Sequence, residues 1–188
     1  MIIQRKKYLP RTSSAVAIFN RMVPTWPQIE HSLRRENWAK AKDLLHRWIQ
    51  FHPSDAKAWF LLGDVHYCLM NFVEMDRCFL RTVKCNPDYK AEIDKKREIV
   101  WSFLIAEGIR LEKEKKEEPA LDKLLLAARI LPDRFTAYRL AGEIAFKIGN
   151  LGQAKILFEK AIELKPQSRD IYSMLDDIET VLSQNSFS

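Results

Sequence analysis

Apolar residues return to one face of successive helical segments along this chain, and a proline ends four of these segments. The prolines are Pro53, Pro87, Pro132 and Pro166, and the gaps between them are 34, 45 and 34 residues. Proline ends a helix because it has no N–H to donate and its ring clashes with the preceding turn. The middle gap is longer by 11 residues. The spacing therefore predicts stacked copies of one helical unit of about 34 residues, with one insertion.

The same kind of residue recurs at fixed positions of this unit. With the prolines at position 32, the copies start at Met22, Ala56, Trp101 and Phe135, and a half-copy starts at Arg169. Position 8 is glycine in three copies: Gly63, Gly108 and Gly142. Position 20 is alanine in three copies: Ala41, Ala120 and Ala154. Position 24 is always large and apolar: Leu45, Phe79, Leu124 and Phe158. Because the residues at positions 8 and 20 lack bulk, two helices of a copy can approach closely where they cross, and the large residues at positions 4, 7 and 24 fill the space beside that crossing. Each copy therefore predicts a packed helix pair.

This pattern resembles the tetratricopeptide repeat, or TPR, whose copies have Leu-Gly at positions 7–8, small residues at 20 and 27, and proline at 32. The closest copies read "AWFLLGDVHY" and "AYRLAGEIAFKIGNLGQAKILFEKAIELKP". The resemblance covers residues 22–184. It implies an all-α, right-handed TPR-type solenoid of four helix-turn-helix units plus a capping helix at 169–184. We number these units, each with a helix A and a helix B, as repeats 1 to 4: residues 22–55, 56–89, 101–134 and 135–168.

Some copies depart from the pattern. Repeat 1 has Ile29 where the others have glycine, and its Thr25 and Gln28 form a capping-box pattern that predicts a helix start near Trp26. Met75 replaces the small residue at position 20 of repeat 2. Trp48 and Thr82 replace alanine at position 27. Three repeats have an asparagine at position 16, in the turn between helices A and B, where a short polar side chain either caps a helix or tolerates unusual backbone angles: Asn37, Asn71 and Asn150.

Two segments extend the repeats. The insertion at 90–100 contains no glycine or proline, and 11 residues make about three helical turns, so one helix is expected from about Ala91 to Lys113. This longer helix either packs on the preceding helix B or projects as a site for a partner or a second copy. The capping helix is expected to have an apolar inner face and a polar outer one. The inner face comprises Ile171, Tyr172, Leu175, Ile178 and Leu182.

The positive charge of the chain is concentrated at its start. The net charge is +6, and residues 1–29 contain five basic residues and no acid. The basic N-terminal arm, residues 1–21, is expected to be disordered and solvated. The alternatives are an electrostatic contact with nucleic acid, an anionic membrane or an acidic protein, and an organelle-targeting segment. No apolar run approaches the length of a membrane span, and a cytoplasmic location is expected.

The residues that support catalysis or cofactor binding are sparse. The five glycines fall at helix crossings or in the turn of repeat 4, so no phosphate-binding loop is present. No HExxH or CxxC motif occurs, and His66 is expected to be a packed core residue. The three cysteines, Cys68, Cys78 and Cys85, are expected to be reduced, small, buried residues. We therefore predict no enzyme activity, no catalytic residues, no metal and no cofactor.

The resemblance implies that helices A line a concave groove. The predicted groove residues are Lys57, Phe60, Leu61, Asp64, Tyr67, Ile105, Ile109, Arg139, Leu140, Glu143 and Phe146. One TPR subclass binds acidic chaperone C-termini and uses an asparagine at position 9. Here Asp64, Ile109 and Glu143 occupy that position, and acids would repel a carboxylate terminus. The apolar residues among these groove residues instead favour an apolar peptide or an amphipathic helix as the ligand. The alternative is that several of these residues pack against neighbouring helices.

These observations predict a non-catalytic scaffold or adaptor that binds another protein. One rival is a nucleic-acid or membrane-surface adaptor that acts through the basic arm, and its binding would weaken steeply with salt. The other rival is a self-assembling, homo-oligomeric structural protein, which light scattering over a concentration series would reveal.

Overall fold

The computed structural model describes residues 23–185, except for the side chains of Leu182, Gln184 and Asn185. The basic arm at 1–21 lies outside the described residues. Residues 23–185 form nine α-helices, one short 3₁₀ helix (Pro87–Tyr89) and no strand, which confirms the all-α class. The α-helices are α1 (Trp26–Arg34), α2 (Trp38–Phe51), α3 (Ala56–Cys68), α4 (Phe72–Cys85), α5 (Lys90–Lys113), α6 (Glu117–Ile130), α7 (Phe135–Lys147), α8 (Leu151–Leu164) and α9 (Arg169–Asn185).

The chain divides into two compact units, and the division falls inside α5. The N-terminal unit ends at Ile93 and the C-terminal unit begins at Asp94. Each unit has its own apolar core. The core of the N-terminal unit is built on α1 to α4 and includes Ile29, Leu45 and Leu62. That of the C-terminal unit is built on α5 to α9 and includes Leu124, Phe158 and Ile178.

Polar side chains at the helix starts are placed as the pattern predicts. The three position-16 asparagines are N-caps, each accepting a backbone N–H three residues later at 3.2 to 3.3 Å. They are Asn37, Asn71 and Asn150. Helix α1 begins at Trp26, and the Thr25 N–H donates to Gln28 Oε1 at 2.9 Å. Local sequence therefore determines where these helices start.

Each glycine at position 8 lies against the large residue at position 24 of the same repeat. A Cβ built on Gly63 would lie 2.4 Å from Phe79, and one on Gly142 would lie 2.6 Å from Phe158. A Cβ on Gly108 would lie 2.7 Å from Leu124. The three large partners are buried. The predicted close crossing of helices A and B is thus confirmed in repeats 2, 3 and 4.

The turn between helices A and B uses a left-handed residue that sequence reasoning did not identify. Position 15 has a positive φ in all four repeats: Glu36 at 52°, Met70 at 56°, Lys115 at 58° and Gly149 at 78°. Only repeat 4 has the glycine that this conformation favours. The other three repeats therefore carry backbone strain at this position.

The bulky substitution at position 27 of repeat 1 forms a local aromatic contact. The Trp48 indole N–H donates to Asp55 Oδ2 at 2.8 Å, and its ring stacks on His52 with centroids 4.1 Å apart. Asp55 Oδ1 also accepts the Ala58 N–H at the start of α3. Trp48 thus joins α2 to the turn that follows it.

The two segments outside the repeats are helical. Helix α5 runs unbroken through the insertion, and its predicted stripe is buried at Ile93, Val100, Leu104 and Leu111. In α9, Ile171 and Ile178 are buried, but Tyr172 is 45% exposed and does not belong to the inner face. Met174 packs on the core instead. It shares a helical stripe with Ile171 and Ile178, whereas Tyr172 is turned about 100° away from Ile171.

The glycine contacts predict opposite effects for two alanine substitutions in the C-terminal unit. Gly142→Ala should lower the free energy of unfolding by about 1–3 kcal/mol, because its Cβ would overlap the buried Phe158 ring. Gly152→Ala should raise it by about 0.5–1 kcal/mol, because nothing lies within 4 Å and alanine favours the helix. Urea unfolding followed by circular dichroism would measure both values. Equal effects would contradict the proposed crossing constraint.

The left-handed turns predict a second pair of opposite effects. Lys115→Gly should raise the free energy of unfolding by up to about 1 kcal/mol, because it relieves the strain at φ 58°. Lys123→Gly, inside α6, should lower it by about 1 kcal/mol, because glycine weakens a helix interior. Chemical unfolding of both variants beside the parent tests this prediction. A loss of stability in both would exclude strain at position 15.

Candidate partner-binding surface

Most predicted groove residues of the N-terminal unit make contacts within that unit. Phe60 is only 8% exposed, and its ring lies 5.8 Å from that of Phe79 and 4.9 Å from that of Tyr89. Leu61 is partly buried against the unit's core. The alternative of packing therefore applies to these two residues, because helix α3 turns them toward apolar neighbours.

The remaining three predicted residues of α3 differ in their surroundings. The Lys57 ammonium lies 4.8 Å from the centroid of the Trp26 ring, a cation–π distance. Asp64 is partly buried. Tyr67 is 38% exposed, and its ring lies 6.2 Å from that of Phe72. This helix offers little apolar surface that is not already in contact.

In the C-terminal unit, α5 and α7 bring apolar and charged residues to one surface. We call this surface the helix-A face, defined by Ile105, Ile109, Arg139, Leu140, Glu143 and Phe146. Ile105, Leu140 and Phe146 are partly buried and pack on the core. Ile109 is also partly buried. One part of each of these four side chains is buried within the unit, and the other part is accessible to solvent.

An ion pair lies at the centre of this face. Arg139 and Glu143 stand one turn apart on α7, and Arg139 donates from its guanidinium to the Glu143 carboxylate. Their side chains are only 29% and 27% exposed. On α7, Glu143 lies between Leu140 on one side and Phe146 on the other, as helical geometry requires. The pair is thus surrounded by apolar groups and partly removed from water.

The carboxylate of Glu143 is held in an unfavourable setting. Burial raises its pKa, while the charge and hydrogen bond of Arg139 oppose that rise. The acids Glu112 and Asp170 raise the pKa further. The local arrangement therefore does not fully compensate this negative charge.

A second cation on the face is shared between acids. Lys147 Nζ lies 3.3 Å from a Glu117 oxygen and 3.8 Å from a Glu112 oxygen. The sequence-based list of site residues omitted Lys147, Glu112, Glu117 and Asp170. Asp170 lies at position 2 of the half-copy, the position that Lys57 has in repeat 2, so extending the repeat numbering to the half-copy would have identified it. Glu112 lies at position 12, as the predicted groove residues Tyr67 and Phe146 do, and Lys147 lies at the next position of its repeat. Glu117 lies at the start of helix B, so the positions of helix A would not have identified it.

The buried polar groups of the N-terminal unit are packed side chains. His66 is 5% exposed, as predicted, and its ring lies 6.1 Å from that of His46. Burial lowers its pKa, and the charges of His46 and Lys42 lower it further against Glu74. Cys78 is buried, which raises the pKa of its thiol to about 12. Cys68 and Cys85 are exposed, so the prediction of burial was wrong for these two.

The described part of the chain contains no cluster of three or more His, Cys, Asp or Glu side chains arranged to bind a metal. Across residues 23–185, no helix combines the length and apolar character needed to cross a bilayer.

Similarity to known proteins was found among solved structures. No family model and no curated protein matches the chain. The first TPR domain of human RPAP3 is 20% identical, with 72% of this chain and 98% of that chain covered and a TM-score of 0.44. PilF of Pseudomonas aeruginosa is 22% identical, with 83% and 66% covered and a TM-score of 0.41. YrrB, a TPR protein with an unusual peptide-binding site, is 15% identical, with 92% and 84% covered and a TM-score of 0.40. Because these sequence identities and TM-scores are low, the assignment of the repeats rests on the helix pairs of this chain and not on these similarities.

The buried histidine predicts a pH dependence of stability. The pKa of His66 is lowered from 6.5 on folding, so the unfolded chain takes up the proton first as pH falls. Stability should therefore be full above pH 6.5 and should decrease below it, until the folded ring also protonates. His66→Phe should remove this decrease. Urea unfolding at a series of pH values measures it, with His31→Gln as an exposed control that keeps the decrease. An unchanged slope in His66→Phe would contradict the assignment.

Proposed function

We propose that this chain is a non-catalytic interaction module that binds a segment of another protein on the helix-A face. The observation that carries the proposal is the composition of that face. Partly exposed apolar side chains, fixed on the unit's core, surround a half-buried ion pair on α7. Such a surface offers both apolar contact and a charge that fixes the orientation of a peptide or helix.

The anchoring of these side chains supports the proposal. Leu140 and Phe146 pack on the core with part of their surface, so binding would immobilise few free rotamers. Association is more favourable when the binding groups are already ordered. Ile109 adds a partly buried aliphatic group on α5. A ligand that lies across α5 and α7 would cover all three.

The charges argue against an acidic C-terminal tail as the bound segment. Position 9 has Ile109 in repeat 3 and Glu143 in repeat 4, where carboxylate-binding TPR proteins have asparagine. A terminal carboxylate placed beside Glu143 would meet a like charge in a partly dehydrated setting. An internal segment, extended or helical, fits this surface better. A cytoplasmic location stays a prediction.

Site-specific photocrosslinking tests the proposal. A benzophenone amino acid at Ile109 should form an adduct with a partner from source lysate, identified by mass spectrometry. The same group at Ile156, which is 67% exposed on α8 and outside the face, should not form that adduct. The captured protein, once purified, should bind the parent chain and Ile156→Lys equally, and should bind Ile109→Lys at least tenfold more weakly.

Three results would contradict this function. Equal adducts from both positions would indicate non-specific contact. Equal binding by both lysine variants, with folding confirmed by circular dichroism, would place the partner elsewhere. An adduct made only of two copies of this chain would favour the self-assembling alternative.

A further inference from the structure

The helix-A face has an excess of acidic groups at the place where a partner would lie. Among the described residues, the charged side chains that interact there comprise four carboxylates and three cations. The cations are Arg139, Lys147 and Lys115, and the charge of Lys115 acts on Glu117. The acids are Glu112, Glu117, Glu143 and Asp170. Lys147 is shared between Glu112 and Glu117, so neither acid has this cation to itself.

We infer that the segment bound on this face is cationic and amphipathic, with a lysine or arginine beside Glu143 and apolar side chains on Ile109, Leu140 and Phe146. This inference rests on the proposed function and names the chemistry of its partner. Its basis is charge complementarity between the segment and the acids that surround the apolar groups.

Covering Glu143 without a new cation would be unfavourable. The carboxylate is already only 27% exposed, and any ligand on the neighbouring Leu140 and Phe146 would remove more of its water. An apolar or neutral ligand would add to this desolvation and offer no charge in return. A partner's ammonium or guanidinium would bind the carboxylate directly and would also interact favourably with Glu112 and Asp170.

The attraction between this face and a cationic ligand would have to come from charges close to the ligand. The whole chain has a net charge of +6, so long-range electrostatics would repel a positively charged peptide. An affinity for such a peptide therefore reports on a restricted acidic surface. The salt dependence of the affinity separates the long-range repulsion from the local attraction, because screening by salt weakens exposed and long-range interactions most.

Three synthetic 18-residue helical peptides serve as probes. Each has leucine on one face, and the other face is lysine, glutamine or glutamate. Fluorescence anisotropy with the full chain should show binding of the lysine peptide at least tenfold tighter than that of the glutamine peptide. The glutamate peptide should not bind.

Conservative variants of the two ion-pair residues should affect this affinity differently. Glu143→Gln should weaken binding of the lysine peptide by about five- to tenfold, because the partner's cation loses its carboxylate. Arg139→Gln should leave the affinity equal or several-fold tighter, because it removes a competing cation. Loss of the ion pair would destabilise both variants alike, so it cannot account for weaker binding that is confined to Glu143→Gln.

Two further variants control for net charge and location. Glu159→Gln removes one negative charge from exposed α8 and should leave the affinity unchanged. Asp170→Asn should weaken binding by a smaller factor than Glu143→Gln, because Asp170 acts on the site from α9. Circular dichroism melting accompanies every variant.

The possible failures are distinguishable from failure of the proposed function. Equal weakening by Glu143→Gln and Glu159→Gln, or weakening by Arg139→Gln, would overturn the inference. So would binding of the glutamine peptide as tight as that of the lysine peptide, although the face would then still bind protein segments. If a partner crosslinks at Ile109 through a segment without basic residues, the proposed function would stand and the inference of a cationic segment would be overturned.

Discussion

The contact between a glycine on helix A and a large side chain on helix B is the constraint on which the repeats depend. In repeats 2, 3 and 4 the space where a Cβ would lie is filled by Phe79, Leu124 or Phe158. Each of these side chains is buried, so its position cannot relax toward solvent. The small residue and its large partner must therefore change together, which explains why glycine and a bulky residue recur at one spacing.

This crossing also decides which side of helix A stays accessible. Gly142 presses one side of α7 onto Phe158, and Ala141, Ile144 and Ala145 are buried with it. The opposite side of the same helix presents Arg139, Leu140, Glu143 and Phe146, which are only partly buried. The packing that stabilises the repeat thus fixes the orientation of the residues proposed to bind a partner.

The electrostatics of that side follow from its partial burial. An Arg–Glu pair one turn apart on an exposed helix contributes little to stability. On α7 the same pair is surrounded by apolar groups, and burial raises the pKa of Glu143 despite Arg139. Carboxylates from α5 and α9 add to the effect, although they lie far apart in sequence. The charge character of the surface therefore belongs to the packed unit and not to any one helix.

The sequence by itself determined the repeat period, the helix pairs, the asparagine caps and the continuous α5, because each depends on residues within one turn or one repeat. Three features were not apparent from the sequence: the packing of Phe60, the exposure of Tyr172 and the left-handed residue at position 15. They depend on how neighbouring helices pack and on the backbone conformation of the turns. The candidate groove residues could be named from their positions, but their separation into core contacts and accessible side chains could not. Only the tertiary structure brought Glu112, Glu143 and Asp170 together, because charge interactions act through space between helices that the sequence separates by about 30 residues.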